Sequence, residues 1–141
     1  MSPRPLFLDP SVLLLAVGGP HPARGGCRRV LAAAAAGAVT LHLSVEGGQE
    51  FLFHRLRRSD RDQAVLQFDQ VDHIAVWHAF DIDILRASRQ LVASTAARGR
   101  DAVHAATALA QGFDAIVSCD ADFDGIPGLR RLDPDAALDD L

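Results

Sequence analysis

Short apolar runs alternate with longer helical segments along almost the whole chain, and this alternation constrains the fold more than any other feature. Residues 39–43 and 114–118 form such runs, and amphipathic segments lie between them. A strand that is followed by a helix usually returns to a parallel neighbour by a right-handed crossover. The sequence therefore predicts an α/β fold with a mostly parallel central sheet.

Proline, glycine and capping residues give the boundaries of these elements. We predict strands at residues 5–8, 39–43, 74–80, 114–118 and 129–132. We predict helices at residues 10–17, 27–37, 45–58, 61–71, 81–97 and 100–112. The length of 141 residues fits a single domain over residues 1–141, because no linker or repeat divides the chain.

The charged residues exclude several classes of site. The net charge is −4, and the 14 basic residues are all arginines, so the chain has no lysine. A P-loop needs a lysine on the phosphates, a Schiff-base enzyme needs an amine, and a phospho-receiver pocket uses a lysine beside its acids. The mild acidity argues against a generic basic nucleic-acid-binding module. It still permits an enzyme whose acidic residues are metal ligands.

Cysteine content and hydropathy indicate an intracellular protein. Cys27 and Cys119 lack the spacing of a zinc site, so we expect two reduced thiols. The apolar run near the start of the chain is interrupted by Asp9 and Pro10, and no clear cleavage site follows it. The other apolar stretches are far shorter than a membrane span. We therefore expect a soluble, cytoplasmic protein without a membrane partner.

The stretch "CDADFDG" places Asp120, Asp122 and Asp124 at alternate positions before a glycine, as a calcium-binding EF-hand loop does. Position 12 of such a loop carries a bidentate glutamate, but Arg131 occupies it here. The preceding run "FDAIVS" has the apolar, β-branched character of a buried strand and not of an entering helix. These two features exclude an EF-hand, so the carboxylates follow the end of a strand.

Other carboxylates also lie at strand ends or helix starts. Asp9 and Asp120 follow predicted strands, and Asp101 opens a predicted helix. The only two glutamates, Glu46 and Glu50, are separated by one helical turn after another strand. Ligands of parallel sheets gather beyond the carboxyl ends of the strands. We therefore expect these carboxylates to converge at one edge of the sheet.

Each of these acids also has a purely structural alternative. Asp9 and Asp101 can cap helices, Asp120 can form a turn, and the two glutamates can be solvated surface residues. Carboxylates that are held together without cations repel one another, and a divalent cation relieves that repulsion. Oxygen ligands without cysteine favour Mg²⁺ or Mn²⁺ over zinc.

The chain resembles PIN-domain ribonucleases, and especially VapC-type toxins of bacterial toxin–antitoxin pairs. The resemblance runs through "FLDPSVLLLA", "LSVEGGQEFLF" and "RDAVHAATALAQGFDAIVSCDADFDGIPGLRRLDP". It implies a PIN-like three-layer α/β/α sandwich. It also implies an acidic quartet that binds metal, with an auxiliary acid and two supporting hydroxyl residues. The quartet is Asp9, Glu50, Asp101 and Asp120, the auxiliary acid is Asp122, and the hydroxyl residues are Ser11 and Ser118.

The sequence departs from the family pattern in three places. Pro10 stands where such toxins often have a small polar residue, and the Gly47-Gly48 pair is unusual in that helix. Glu46 competes with Glu50 for the second acidic position. We favour Glu50 because an apolar helical run follows it, as in the family.

The function that the resemblance implies is Mg²⁺-dependent hydrolysis of RNA, with tRNA or another structured RNA as substrate. A cognate antitoxin and homodimerisation are implied in the same way. Candidate contacts to RNA phosphates are Arg24, Arg28, Arg29 and Arg100. His104, one turn after Asp101, has either a catalytic role or a place in the core.

Two alternatives belong to other functional classes. A PIN-like domain without activity would serve as a protein-binding module, and it would lack one of the acids. A haloacid-dehalogenase-like phosphatase also has an aspartate after its first strand, but it needs a second aspartate where Ser11 stands.

Overall fold

The computed structural model describes residues 2–139 and confirms the α/β fold with parallel strands. Met1, Asp140 and Leu141, at the ends of the predicted domain over residues 1–141, lie outside the described residues. Five strands are formed: β1 (Arg4–Phe7), β2 (Val39–Ser44), β3 (Ala75–His78), β4 (Ala115–Val117) and β5 (Arg130–Leu132). The described part of the chain also forms seven α-helices: α1 (Ser11–Val17), α2 (Arg24–Ala35), α3 (Val45–Arg58), α4 (Arg61–Ile74), α5 (Ile82–Ser94), α6 (Arg100–Ala110) and α7 (Pro134–Ala137).

All strand pairs among the described residues are parallel. One sheet has the order β1-β2-β3, and β4 pairs with β5 in a second sheet. A single parallel bridge between Leu8 and Val117 joins the end of β1 to β4. The carboxyl ends of β1, β2 and β4 consequently lie along one edge, as the alternation of strands and helices predicts.

Two clusters of buried apolar side chains cover the two faces of the sheets. Leu6 and Leu8 belong to one cluster with side chains of α1, α2 and α3, whereas Phe7 between them belongs to the other. The second cluster includes Ala102 and Ala105 of α6, and every residue of α6 from Ala102 to Thr107 is buried. Alternate residues of a strand point to opposite faces, so helices pack on both sides of the sheets. The result is the expected three-layer arrangement.

Several boundaries differ from the sequence prediction for identifiable reasons. Helix α2 begins at Arg24, so the Gly25-Gly26 pair that was predicted as loop is helical. A Cβ at Gly26 would lie 3.1 Å from the Asp135 carboxylate, so the glycine permits close packing of α2 on α7. Helix α5 ends at Ser94, where Thr95 Oγ1 donates to the carbonyl of Leu91 at 2.6 Å. Helix α7 was not predicted because four residues give no periodic pattern.

Two helix starts determine where the acidic residues point. Ser44 caps α3 by accepting a hydrogen bond from the Gly47 amide at 3.1 Å. Helix α6 follows Gly99, whose φ of 58° lies in the left-handed region that favours glycine. Both helices therefore start at the carboxyl edge of the sheet. Within residues 2–139, none of the helices has the length and hydropathy of a membrane span.

Candidate metal centre

Asp9 is a buried carboxylate at the end of β1, with only 5% of its surface exposed. Its amide donates to the carbonyl of Val117 at 2.9 Å, which fixes the residue between β1 and β4. Its Oδ2 atom accepts hydrogen bonds from Ser11 Oγ and from Ser118 Oγ, the latter at 2.9 Å. Burial raises the pKa of Asp9, and the two hydroxyl hydrogen bonds oppose that rise. Both serines thus donate to the same oxygen of Asp9, whereas the resemblance implied that one supports the first acid and the other the last.

Asp101, Asp120 and Asp122 form a cluster of carboxylates in which one oxygen of each lies within 4.8 Å of the others. It is the one group of three or more such ligands in the part of the chain that the structure describes. The Asp120 amide donates to Ser118 Oγ at 2.9 Å, and the Asp122 amide donates to Asp120 Oδ1 at 2.9 Å. A short 3₁₀ turn, Ala121–Phe123, brings Asp122 round to its neighbours.

The electrostatics of Asp101 connect this cluster with the other acids. The pKa of Asp101 is raised to about 6, first by burial and then by the negative charges of Asp9, Asp120 and Glu50. The charge of His104 opposes this rise in the pKa of Asp101. The charges of Asp9 and Glu50 thus act on Asp101, although neither residue belongs to the cluster that Asp101 forms with Asp120 and Asp122. The donor set, which consists of oxygens alone, fits Mg²⁺ or Mn²⁺.

Glu46 and Glu50 differ in their surroundings although both side chains are 18% exposed. Glu46 Oε1 lies 3.2 Å from Arg100 Nε, whereas Glu50 Oε1 lies 3.7 Å from the same atom. Glu50 also raises the pKa of Asp9 and of Asp101 through its charge. Glu50 therefore belongs electrostatically to the acidic group, which favours it over Glu46 as the second acid.

His104 is buried, with 1% of its surface exposed, and it connects two elements of the site. Its Nε2 atom lies 3.2 Å from Glu50 Oε1, and its Nδ1 atom lies 2.9 Å from Ser44 Oγ. The sequence showed only that His104 follows Asp101 by one turn, and its link to Ser44 was missed. The imidazole holds the Glu50 carboxylate against α6, which is a positioning contact from a core residue.

The four candidate arginines do not share one location. Arg28 Nε donates to the Ala16 carbonyl at 2.9 Å, and Arg24 Nη1 donates to the Gly18 carbonyl at 3.4 Å. Arg29 forms a salt bridge of 2.6 Å with Asp135 on α7. These three side chains bond to other parts of the fold. Only Arg100 contacts the acidic group directly.

A groove leads away from Asp120. A cavity of about 430 Å³ borders Asp120, Leu14, Leu15 and His21, and a second cavity of about 500 Å³ shares the last three of these residues. The second cavity is also lined by His54, Arg55 and Arg58 at the end of α3, and of these Arg55 donates from Nε to Gln67 Oε1 at 2.8 Å. These basic residues were not among the predicted RNA contacts, although "HRLRR" is a visible basic cluster in the helix that carries Glu50.

Asp124, the third aspartate of "CDADFDG", has a separate role in the structure. Its Oδ1 atom accepts a hydrogen bond from Arg131 Nε at 2.9 Å. Arg131 also donates to the Ser118 carbonyl at 3.1 Å and to Asp133 at 2.8 Å. Gly125 follows with a φ of 85°. The arginine that excluded an EF-hand therefore ties Asp124 into the turn.

Comparisons with known proteins agree with this geometry. The family model described as "PIN domain" matches residues 6–129. The chain is 33% identical to Ribonuclease VapC7 of Mycobacterium tuberculosis over 135 residues, which covers 94% of this chain and 93% of that protein.

Solved structures share the fold at low sequence identity. A toxin–antitoxin complex from Klebsiella pneumoniae contains a chain with a TM-score of 0.68 and 18% identity, with 92% of this chain and 97% of that chain covered. VapC20 of Mycobacterium tuberculosis, described as a sarcin-ricin loop cleaving toxin, has a TM-score of 0.68 and 16% identity, with 84% and 92% covered.

Proposed function

The chain belongs to the PIN domain family, and we propose that it is a Mg²⁺-dependent endoribonuclease that acts as the toxin of a toxin–antitoxin pair. The observation that carries this proposal is the cluster of Asp101, Asp120 and Asp122 beside the buried Asp9. Similarity to a ribonuclease over almost the whole chain supports RNA as the substrate.

The residues that would hold the cation are Asp9, Glu50, Asp101 and Asp120, with Asp122 as an auxiliary ligand. A bound Mg²⁺ or Mn²⁺ would stabilise the charge on the phosphodiester as it is attacked and would make a water molecule easier to deprotonate. The carboxylates act as ligands and not as nucleophiles. Ser11 and Ser118 both donate to Oδ2 of Asp9, which keeps that carboxylate oriented. His104 orients Glu50 in the same way.

The groove from Asp120 to Arg55 and Arg58 is the proposed path of the RNA strand. Its cationic end complements phosphates, and its apolar floor at Leu14 and Leu15 leaves room for bases. We expect Arg58→Ala to weaken binding of RNAs irrespective of sequence and to reduce the salt dependence, because one phosphate contact is lost. Mn²⁺ binding should not change. Unaltered RNA binding by this variant would place the strand elsewhere.

The proposed partners are a cognate antitoxin and a second copy of the chain. The antitoxin is supported by the structural similarity to the toxin–antitoxin complex of Klebsiella pneumoniae. The second copy is supported by the exposed apolar residues of α5, of which Ile82, Leu85 and Val92 are each about half exposed. The two free thiols fit a cytoplasmic location. We further propose that residues 1–141 form one domain.

A cleavage assay tests the activity. Purified full-length protein is incubated with labelled tRNA and other structured RNAs in the presence of Mg²⁺, Mn²⁺ or EDTA. We expect cleavage with either metal, none in EDTA and none by Asp9→Asn or Asp101→Asn. Asp124→Asn is the matched control. The Asp124 carboxylate bonds to Arg131, so this substitution should leave cleavage intact. Cleavage in EDTA would contradict the mechanism, and metal binding without cleavage of any RNA would favour an inactive binding module.

A further inference from the structure

Cys27 and Cys119 lie next to each other although 92 positions separate them in the chain. Their sulfur atoms are 3.9 Å apart, and both cysteines are free. A disulfide needs a separation of roughly 2.05 Å, so closure requires the two sulfurs to approach by roughly 1.9 Å. Two thiols in contact are a preformed pair, and the proposed ribonuclease function makes no use of them.

The two cysteines differ in how accessible and how mobile they are. Cys27 is fully buried inside α2, and its amide bonds to the Ala23 carbonyl at 3.0 Å. Cys119 lies between β4 and the 3₁₀ turn, outside regular secondary structure, and it is half-buried. It borders two cavities, of about 610 and about 430 Å³, that give a small molecule access to its sulfur. Burial raises the pKa of both thiols, that of Cys27 to about 12.

We propose that Cys27 and Cys119 form a reversible intramolecular disulfide through reaction with a low-molecular-weight disulfide, and that closure weakens metal binding at the adjacent Asp120. Disulfides of intracellular proteins are usually transient and redox-sensing. The disulfide itself is independent of the proposed ribonuclease activity. Its effect on the metal rests on that proposed function.

The reaction proceeds by two exchanges. The Cys119 thiolate attacks one sulfur of the small disulfide, whose S–S bond breaks and releases one small thiolate. The Cys27 sulfur then attacks the Cys119 sulfur, which releases the second small thiolate. The two cysteines together lose two electrons and two protons, and the two small thiols take them up.

Closure affects the acidic cluster through the backbone on either side of Cys119. Ser118 Oγ donates to Asp9 and accepts from the Asp120 amide at 2.9 Å each. Because Cys27 is held in a helix, Cys119 supplies most of the movement. A shift of Cys119 therefore disturbs both of these hydrogen bonds and moves Asp120 relative to Asp101.

Mass spectrometry of the full-length protein tests the disulfide. Reduced protein is incubated with oxidised glutathione, acid-quenched and denatured, and its thiols and adducts are identified. The wild type should lose both thiols, remain a single chain and carry no glutathione. Cys27→Ser should retain a glutathione adduct on Cys119, and Cys119→Ser should remain unmodified because Cys27 is buried. Circular dichroism checks the fold of each variant, with Cys27→Ala as a replacement if Cys27→Ser does not fold. A wild type that keeps both thiols, or that accumulates the same adduct as Cys27→Ser, would overturn the proposal.

Mn²⁺ titration of the reduced and oxidised wild type tests the coupling. We expect the affinity to fall by roughly tenfold or more on oxidation and to return after reduction, as for other losses of supporting contacts around a metal. Equal Mn²⁺ affinity in both states would refute the coupling but not the formation of the disulfide. Absence of Mn²⁺ binding by the reduced protein would instead refute the proposed metal centre.

Discussion

The pKa of Asp101 is raised to about 6, first by burial and then by repulsion from the neighbouring acids Asp9, Asp120 and Glu50. Because this folded-state pKa exceeds the ordinary value of 3.8, the native protein binds more protons than the unfolded chain between these two pH values. The stability contributed by this group is therefore present in acid and is lost as the pH rises through about 6. Without metal, ionised Asp101 destabilises the fold at neutral pH.

We therefore expect Asp101→Asn to raise the melting temperature of the metal-free protein at neutral pH, because the amide removes one of the mutually repelling charges. At about pH 4 the advantage should largely disappear, since Asp101 is then neutral in the folded wild type. Addition of Mn²⁺ at neutral pH should make the melting temperature of the wild type the higher of the two, because only the wild type gains stability from binding. Thermal melts in EDTA and in Mn²⁺ at both pH values measure this. A lower melting temperature of the variant in EDTA at neutral pH would show that the charge is not destabilising.

The acids themselves could be predicted from the sequence, whereas their partners could not. Strand ends and helix starts indicated Asp9, Asp101 and Asp120, because those positions follow from local patterns. The contacts of His104 with Glu50 and Ser44 depend on the packing of α6 against α3 and β2, which no local pattern specifies.

At the scale of elements, the start of α3 contains a close packing contact that explains one glycine of the unusual Gly47-Gly48 pair. A Cβ at Gly48 would lie 2.8 Å from Cη2 and 2.9 Å from Cζ3 of Trp77. The indole is held in place, because its Nε1 donates to Asp72 at 2.7 Å and its ring stacks on Phe68. A Cβ at Gly47 would lie no closer than 3.5 Å to its nearest neighbour, which is ordinary contact.

Gly48→Ala should therefore lower the free energy of unfolding by about 1–3 kcal/mol, which is typical of overpacking. Gly47→Ala is the matched control and should be neutral or stabilising by up to ~1 kcal/mol, because alanine favours the helix. Urea denaturation followed by the fluorescence of Trp77, the single tryptophan, measures both. In a Trp77→Phe background, where unfolding is followed by circular dichroism because the tryptophan is gone, the loss for Gly48→Ala should shrink. Gly48→Ala variants as stable as Gly47→Ala would contradict this role of the glycine.

The sequence predicted most elements but placed some boundaries incorrectly. Helix α2 begins earlier than predicted because Gly26 packs closely on Asp135 of α7, and this tertiary contact outweighs the low helix propensity of glycine. Helix α7 itself is too short to be detected from the sequence.

At the scale of the whole molecule, one face of α5 carries three exposed apolar side chains with the exposed Arg89 among them. Ile82, Leu85 and Val92 are 54%, 51% and 52% exposed, and their spacing places them on one side of the helix. Leu85→Glu should convert the proposed dimer into a monomer, because a carboxylate would be buried without a partner. Gln90→Glu adds the same charge on another side of α5 and should remain dimeric. Light scattering coupled to size-exclusion chromatography decides this, and a monomeric wild type would refute the dimer.

The parallel sheet topology explains which parts of the functional site could be predicted from the sequence. Parallel strands bring their carboxyl ends to one edge, so separate acids along the chain predict one site. The groove with Arg55 and Arg58 forms where α1 lies beside the end of α3, and the sequence gives no indication of that contact. Of the four arginines proposed from the sequence, Arg100 alone contacts the acidic residues, namely Glu46 and Glu50.

The central claim is that these carboxylates bind a divalent cation, and electron paramagnetic resonance of Mn²⁺ tests it most directly. Free Mn²⁺ is measured while metal-free wild type, Asp120→Asn or Asp124→Asn is titrated in. The two variants change aspartates of the same turn, but Asp120 belongs to the cluster and Asp124 bonds to Arg131. We predict that the wild type and Asp124→Asn bind Mn²⁺ with similar affinity and that Asp120→Asn binds at least roughly tenfold more weakly. Equal binding by all three proteins, or no binding by the wild type, would contradict the account.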